Sequence, residues 1–360
     1  MNYLNMINFR KFKRFTRKTV SAIVLIFAVL LIVLFHKWVL LQMYHTAAFY
    51  HVWQADEEYK KGNFQKAISK YSYAVKLYPE HYKAHYNLGN IYVVYEDYNS
   101  AVICYNQAIT ANPNYLNARI NLGIVLAQQI LDIDRAIIEY KKAINSKPFI
   151  LNIPFIFNNK PSVWHSKSIA YYNLGLAYKN KALLYKSGSP EARNYLKLAA
   201  QCYRNSLKII PDSYESHYNL ALTMQLLGVY TESLQEYCKS INLQPLDYEA
   251  HYNLAILLRQ RFLYRESINE LEKAGLLLDA RGDYFKTAYI YQTLNEVSQR
   301  AIARRSTPQE FIADKLGESP AKSYDITYVR GKVVPTEDLD KAIMDNMKTC
   351  SVCKTVASSK

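Results

Sequence analysis

The sequence predicts an all-α chain, a right-handed α-solenoid of about six helical hairpins preceded by one transmembrane helix. Three observations predict it. A short phrase returns five times: His85-Tyr86-Asn87-Leu88-Gly89, Ile120-Asn121-Leu122-Gly123, Tyr171-Tyr172-Asn173-Leu174-Gly175, His217-Tyr218-Asn219-Leu220-Ala221 and His251-Tyr252-Asn253-Leu254-Ala255. Neighbouring copies stand 34 residues apart wherever nothing is inserted, a period that marks stacked helical hairpins. Prolines recur in step at Pro79, Pro113, Pro148, Pro211 and Pro245, where a missing amide hydrogen ends a second helix. A basic segment followed by an unbroken apolar run opens the chain.

That opening is read first. Residues 1–18 carry Arg10, Lys11, Lys13, Arg14, Arg17 and Lys18 with no acid. Val20 to Phe35 is apolar or small throughout, and Val39 to Leu41 extend the run. A helix over 19–41 is about 34 Å long, enough to cross a hydrocarbon core of about 30 Å. Lys37 near its end snorkels to the headgroups, where Trp38 and Tyr44 also suit the interface. Charge bias places residues 1–18 in the cytoplasm and the remainder on the non-cytoplasmic side. The run is longer than the apolar core of a secretory signal, so an uncleaved single-pass anchor is expected.

Six units follow. Residues 48–148 hold the first three, 149–165 form an inserted loop, and 166–282 hold the last three, with the fourth unit stretched. The second unit is the cleanest, with Leu88, Gly89, Tyr92, Tyr98, Ala101, Tyr105, Ala108 and Pro113. These positions resemble the tetratricopeptide repeat family, whose unit is two antiparallel helices with small and aromatic residues at fixed places. The glycines and alanines are expected where helix backbones approach closely, and Tyr105, Tyr140 and Tyr203 where space between hairpins is filled. Ser187-Gly188-Ser189-Pro190 breaks the fourth unit. Residues 283–303 are expected to cap the stack with a polar outer face, and 304–360 form a tail, with a hairpin or strand over 324–334 and a short helix from Thr336 to Met347.

The resemblance implies that the first helix of each hairpin lines an inner surface. Asn87, Asn121, Asn173, Asn219 and Asn253 then form a ladder, flanked by Tyr86, Tyr172, Tyr218 and Tyr252. A carboxamide donates and accepts, so it grips a peptide backbone regardless of side chain. The ladder resembles that in the repeat array of O-linked N-acetylglucosamine transferases, and the likeness is confined to the array. Packing or capping within the array is the competing role for the same residues. The first unit departs, with Trp53 at the ladder position.

Composition restricts the functions. The formal charge of +15 includes a stretch from Lys141 to Lys208 with Glu191 as its one acid, which suits an acidic partner or a plain solvated face. The topology argues against nucleic acid. His85, His217 and His251 recur in different units, so they are expected to be spaced along the stack rather than gathered around a metal. Cys104, Cys202 and Cys238 are expected as small buried groups, and Cys350 with Cys353 could close a small local disulfide. No catalytic motif and no cofactor site is read. A membrane-anchored adaptor holding a protein or peptide partner is the leading expectation, and a structural subunit that forms homo-oligomers is the alternative.

Overall fold

The computed structural model describes residues 3–147, 152–153, 157–158, 160–305 and 353, with side chains for 24–147, 162–303 and 353. The expected strand over 324–334 and helix from Thr336 to Met347 lie outside the described residues. Among those residues the fold is helical apart from one two-residue ladder. It divides into two compact units, residues 1–125 and 126–360.

The first unit begins with α1 (Tyr3–Lys60), a single helix of 58 residues. The expected bounds put the membrane span at 19–41 and the first hairpin from 48, and one helix covers both. Gln42 to Ala47 contain neither glycine nor proline, so nothing interrupts helix propagation. From Val24 to Leu41 the apolar side chains are almost all exposed. The described part of α1 is long and apolar enough to cross a membrane. Past them, Ala48, Val52 and Ala55 turn inward and pack on Ala67, Tyr71 and Ala74 of α2 (Phe64–Leu77). The same helix therefore serves as the apolar rod and as the first helix of the first hairpin. Next come α3 (Tyr82–Val94), α4 (Tyr98–Ala111) and α5 (Leu116–Gln128). Asp97 caps α4 by accepting from the Ser100 amide at 3.1 Å, satisfying a donor that the helix end leaves unpaired.

The second unit holds the end of α5, then α6 (Ile133–Asn145). Within the expected loop, β1 (Asn152–Ile153) pairs antiparallel with β2 (Phe157–Asn158). The helix α7 (Lys160–Leu183) then begins inside the segment expected to be loop. Pro161 explains this, because proline is tolerated in a first turn where amides lack helical partners. The stretched fourth hairpin is α7 with α8 (Pro190–Ile209), and Ser189 caps α8 by accepting from the Ala192 amide at 3.1 Å. Two regular hairpins follow, α9 (Tyr214–Leu227) with α10 (Tyr230–Leu243), and α11 (Tyr248–Gln260) with α12 (Tyr264–Ala280). The turn after α9 needs a left-handed residue, supplied by Gly228 at φ 78°.

The terminal helix α13 (Tyr284–Arg305) buries Ile290, Leu294, Val297 and Ala301 against the sixth hairpin. Its outer face is less polar than expected, because Tyr284 and Phe285 are 75% and 87% exposed.

At Gly89 and Gly175 the crowding comes from a ring rather than from a second backbone. A Cβ on Gly89 would lie 2.6 Å from Cε1 of Tyr105, and one on Gly175 would lie 2.6 Å from Cε1 of Tyr203. Tyr71, Tyr105, Tyr140, Tyr203 and Tyr237 are all sealed from solvent on second helices.

The cysteine reading needs correction. Cys238 on α10 is joined by a disulfide to Cys353, so it is not a free buried group and Cys353 does not close a local loop with Cys350. Both Cys104 and Cys202 are buried free thiols, as expected.

Candidate functional site

The predicted ladder residues all lie on first helices: Tyr86 and Asn87 on α3, Asn121 on α5, Tyr172 and Asn173 on α7, Tyr218 and Asn219 on α9, Tyr252 and Asn253 on α11. The four tyrosines are half-buried, as are Asn87, Asn121 and Asn253, whereas Asn173 and Asn219 are buried. Trp53 stands exposed on α1.

Hydrogen bonds tie neighbouring hairpins together through these groups. In the first unit, Asn121 Nδ2 donates to the Tyr86 hydroxyl at 3.2 Å and to Asn90 Oδ1 at 2.9 Å. Asn87 Nδ2 donates to Asp56 Oδ1 at 3.1 Å and to the Tyr71 hydroxyl at 3.0 Å. The Tyr71 hydroxyl in turn donates to Asp56, and Tyr105 donates to Asn90 at 2.9 Å. In the second unit, Asn219 Nδ2 donates to the Tyr172 hydroxyl at 3.2 Å, and Asn253 Nδ2 donates to the Tyr218 hydroxyl at 2.7 Å. Asn173 instead donates to its own helix at Ile169 O, 3.0 Å away.

The amide nitrogens of the ladder thus serve the array. The carbonyl oxygens of Asn87, Asn121 and Asn253 have no hydrogen-bond donor among the described residues. Asn219 Oδ1 accepts from Lys179 Nζ at 2.7 Å. Sequence reasoning missed Asp56, Asn90 and Lys179. Asp56 and Asn90 were findable, since each stands three residues after the ladder position, one turn along the same helix face.

The recurring histidines have a structural role. Nε2 of His85, His217 and His251 bonds to the carbonyls of Pro79, Pro211 and Pro245 at 2.8, 2.8 and 2.9 Å. Arg119 takes the same role, donating to Pro113 O from Nε at 3.1 Å and from a terminal nitrogen at 3.0 Å. His217 and His251 also reach Glu236 and Glu270 on the following helices through Nδ1. His85 finds Cys104 at the corresponding place in the sequence, and its Nδ1 is buried without a partner among the described residues.

An open cleft of about 720 Å³ lies between α8 and α10, lined by Arg204, Lys208, His217, Glu232, Glu236 and Lys239 among others. Its charges largely answer one another, with Arg204 on Glu232 at 2.6 Å and Lys239 on Glu236 at 2.6 Å.

The family model for the tetratricopeptide repeat matches residues 82–115, which is the α3–α4 hairpin with its closing turn. That hairpin is therefore a tetratricopeptide repeat. Two curated relatives match parts of this chain. Tetratricopeptide repeat protein 17 of Danio rerio is 45% identical over 49 residues, covering 14% of this chain and 4% of its own length. The UDP-N-acetylglucosamine–peptide N-acetylglucosaminyltransferase of Giardia intestinalis is 30% identical over 89 residues, covering 25% of this chain and 6% of its own length. The chain thus spans less than a tenth of the length of these relatives. A solved structure of PilF from Pseudomonas aeruginosa matches at a TM-score of 0.52 and 15% identity, covering 69% of this chain and 97% of that one. At that identity the likeness concerns the fold alone.

Proposed function

We propose that this chain is a membrane-anchored tetratricopeptide scaffold, not an enzyme, and that it holds a peptide segment of a protein partner against its first-helix face. The observation that carries the reading is half-buried tyrosine beside amides whose oxygens lack donors in each unit, Tyr86 with Asn87 and Asn121 in the first and Tyr252 with Asn253 in the second. Rigid aromatic surface and an open acceptor suit an extended backbone, whose amides need partners when they leave water. The apolar part of α1 is the anchor, with residues 1–18 in the cytoplasm and the repeats on the other side. The Cys238–Cys353 disulfide supports that placement, because such bonds persist in oxidising compartments.

The test is photo-cross-linking in intact membranes, with a photoreactive residue at Tyr218 and, as control, at exposed Lys239. A discrete adduct from Tyr218 alone is expected. Equal capture from both positions, or none from Tyr218, overturns the assignment of this face.

A second reading is favoured by the aromatic start of α13. Tyr284 and Phe285 could seat a second copy, making the chain a structural subunit that associates through its last helix. Sedimentation in detergent of the Phe285→Asp variant separates the two, since only the second reading expects a change in mass.

A further inference from the structure

Lys179 on α7 is half-buried, and among the described residues its ammonium has a single acceptor, the amide oxygen of Asn219 at 2.7 Å. Other lysines nearby are answered by carboxylates: Lys181 pairs with Asp134, and Lys142 with Glu139 at 2.7 Å. An ammonium carries three N–H donors, and a partly desolvated cation that meets only a neutral amide is under-compensated. The Tyr172 hydroxyl accepts from the other end of the Asn219 amide and keeps its own proton to donate. A cation and a hydroxyl donor therefore flank one carboxamide, within the row of tyrosines and asparagines already assigned to a bound segment.

The wider charge pattern points the same way. Arg259 stands six residues after Asn253, as Lys179 stands six after Asn173. Exposed Glu215 and Glu249 stand four residues before Asn219 and Asn253, at the opposite ends of the first helices. On α11 the acid Glu249 thus precedes the ladder position and the cation Arg259 follows it. We propose that Lys179 and the Tyr172 hydroxyl form a carboxylate subsite, so that the bound segment carries an acidic side chain or its own C-terminal carboxylate at that point. A charge-assisted contact there is shorter and stronger than the neutral one it joins. Burial already pushes the Lys179 ammonium below its ordinary pKa, and burial together with the Glu215 carboxylate raises the Tyr172 hydroxyl, so the incoming acid seats on the Lys179 side. This inference rests on the peptide-binding reading, and the experiment separates the failure of either.

A random dodecapeptide library displayed on phage is selected on the full chain in lipid nanodiscs, and the enriched sequence is synthesised. Asp or Glu is expected to recur in the enriched sequences. Replacing that acid with its amide should weaken binding about tenfold or more, close to 1.4 kcal/mol. On the Lys179→Met protein, acid and amide peptides should bind alike, while Lys179→Arg retains the preference. Amidating the peptide C-terminus distinguishes a terminal carboxylate from a side chain. Enrichment without acids, or an acid preference that survives in Lys179→Met, overturns the subsite and leaves peptide binding intact. No enrichment of any sequence overturns both.

Discussion

His251 Nδ1 lies 2.6 Å from Glu270 Oε2, and both side chains are sealed from solvent. His217 repeats the contact with Glu236 at 2.5 Å one hairpin earlier. With a proline carbonyl at Nε2 and a glutamate at Nδ1, each ring is held at both nitrogens. The histidine thereby ties together the two helices of its hairpin and the turn before them.

Removing one partner should be expensive. Glu270→Ala leaves His251 buried with one nitrogen unanswered, and is expected to cost about 3 kcal/mol or more. Urea denaturation followed by helical circular dichroism measures it. A loss well under about 1 kcal/mol would show that the pair behaves like a surface contact and holds nothing together.

The same carboxylates set an acid limit. Burial pushes Glu236 and Glu270 up, but hydrogen bonds from His217 and Lys239, and from His251 and Lys273, outweigh it and hold both below the ordinary glutamate range. A depressed carboxyl stabilises the fold above its unfolded pKa of roughly 4.3, and that contribution drains as pH falls through the folded value. Melting temperature should therefore drop as the pH falls below that point. The Glu236→Gln/Glu270→Gln variant, less stable at neutral pH, should show a flatter acid slope. Parallel slopes for the two proteins would remove these residues from the account.

Gly89→Ala should destabilise the second hairpin although alanine favours helix by about 1 kcal/mol. Its methyl would sit 2.6 Å from the Tyr105 ring, and Tyr105 cannot swing away because it is buried and its hydroxyl is held by Asn90. Overpacking of this kind costs about 1–3 kcal/mol. Tyr105→Leu alone opens a cavity, so the double variant should lose less than the two singles added. Strict additivity in that cycle would deny the contact.

Non-reducing peptide mapping of the protein from intact membranes should recover Cys238 linked to Cys353, a closure across 115 residues. A loop on that order stabilises a fold by about 4–5 kcal/mol in the chain-entropy model, so Cys353→Ser should lower the melting temperature under oxidising conditions only. Burial pushes the Cys104 thiol up to about 11 and the Cys202 thiol up to about 12, so both should resist alkylation until the chain unfolds. Finding Cys350 linked to Cys353 instead would restore the local pairing.

The hairpins were readable because packing leaves a period. Gly89, Tyr105 and Pro113 each answer a geometric demand that recurs with every unit, so the demand shows as repetition. The histidines were partly readable: their spacing argued against a shared metal, but Glu236 and Glu270 stand nineteen residues away on another helix. Asn173 looks like its four counterparts in sequence and differs in bonding, since its amide turns back to Ile169 O on its own helix. Lys179 was lost in a basic stretch, where only burial and the missing carboxylate set it apart. Cys238 and Cys353 share no local pattern, since their closeness depends on how the chain returns to α10.

The last prediction concerns α1. A helix that runs unbroken from the apolar run into Ala48, Val52 and Ala55 offers no turn or loop near residue 48 at which a signal would be cut. The intact chain should therefore keep its N-terminus in the membrane fraction, resist alkaline carbonate extraction, and show an uncleaved mass. Deleting residues 1–44 should release it to the soluble fraction with helical content per residue preserved, because Ala48 onward still pairs with α2. Deleting residues 1–56 should instead lower the stability of the α2 region, seen as faster hydrogen exchange over residues 64–77. A mature protein that begins near residue 48 and stays soluble would sink the anchor, and with it the sidedness assigned to the repeats.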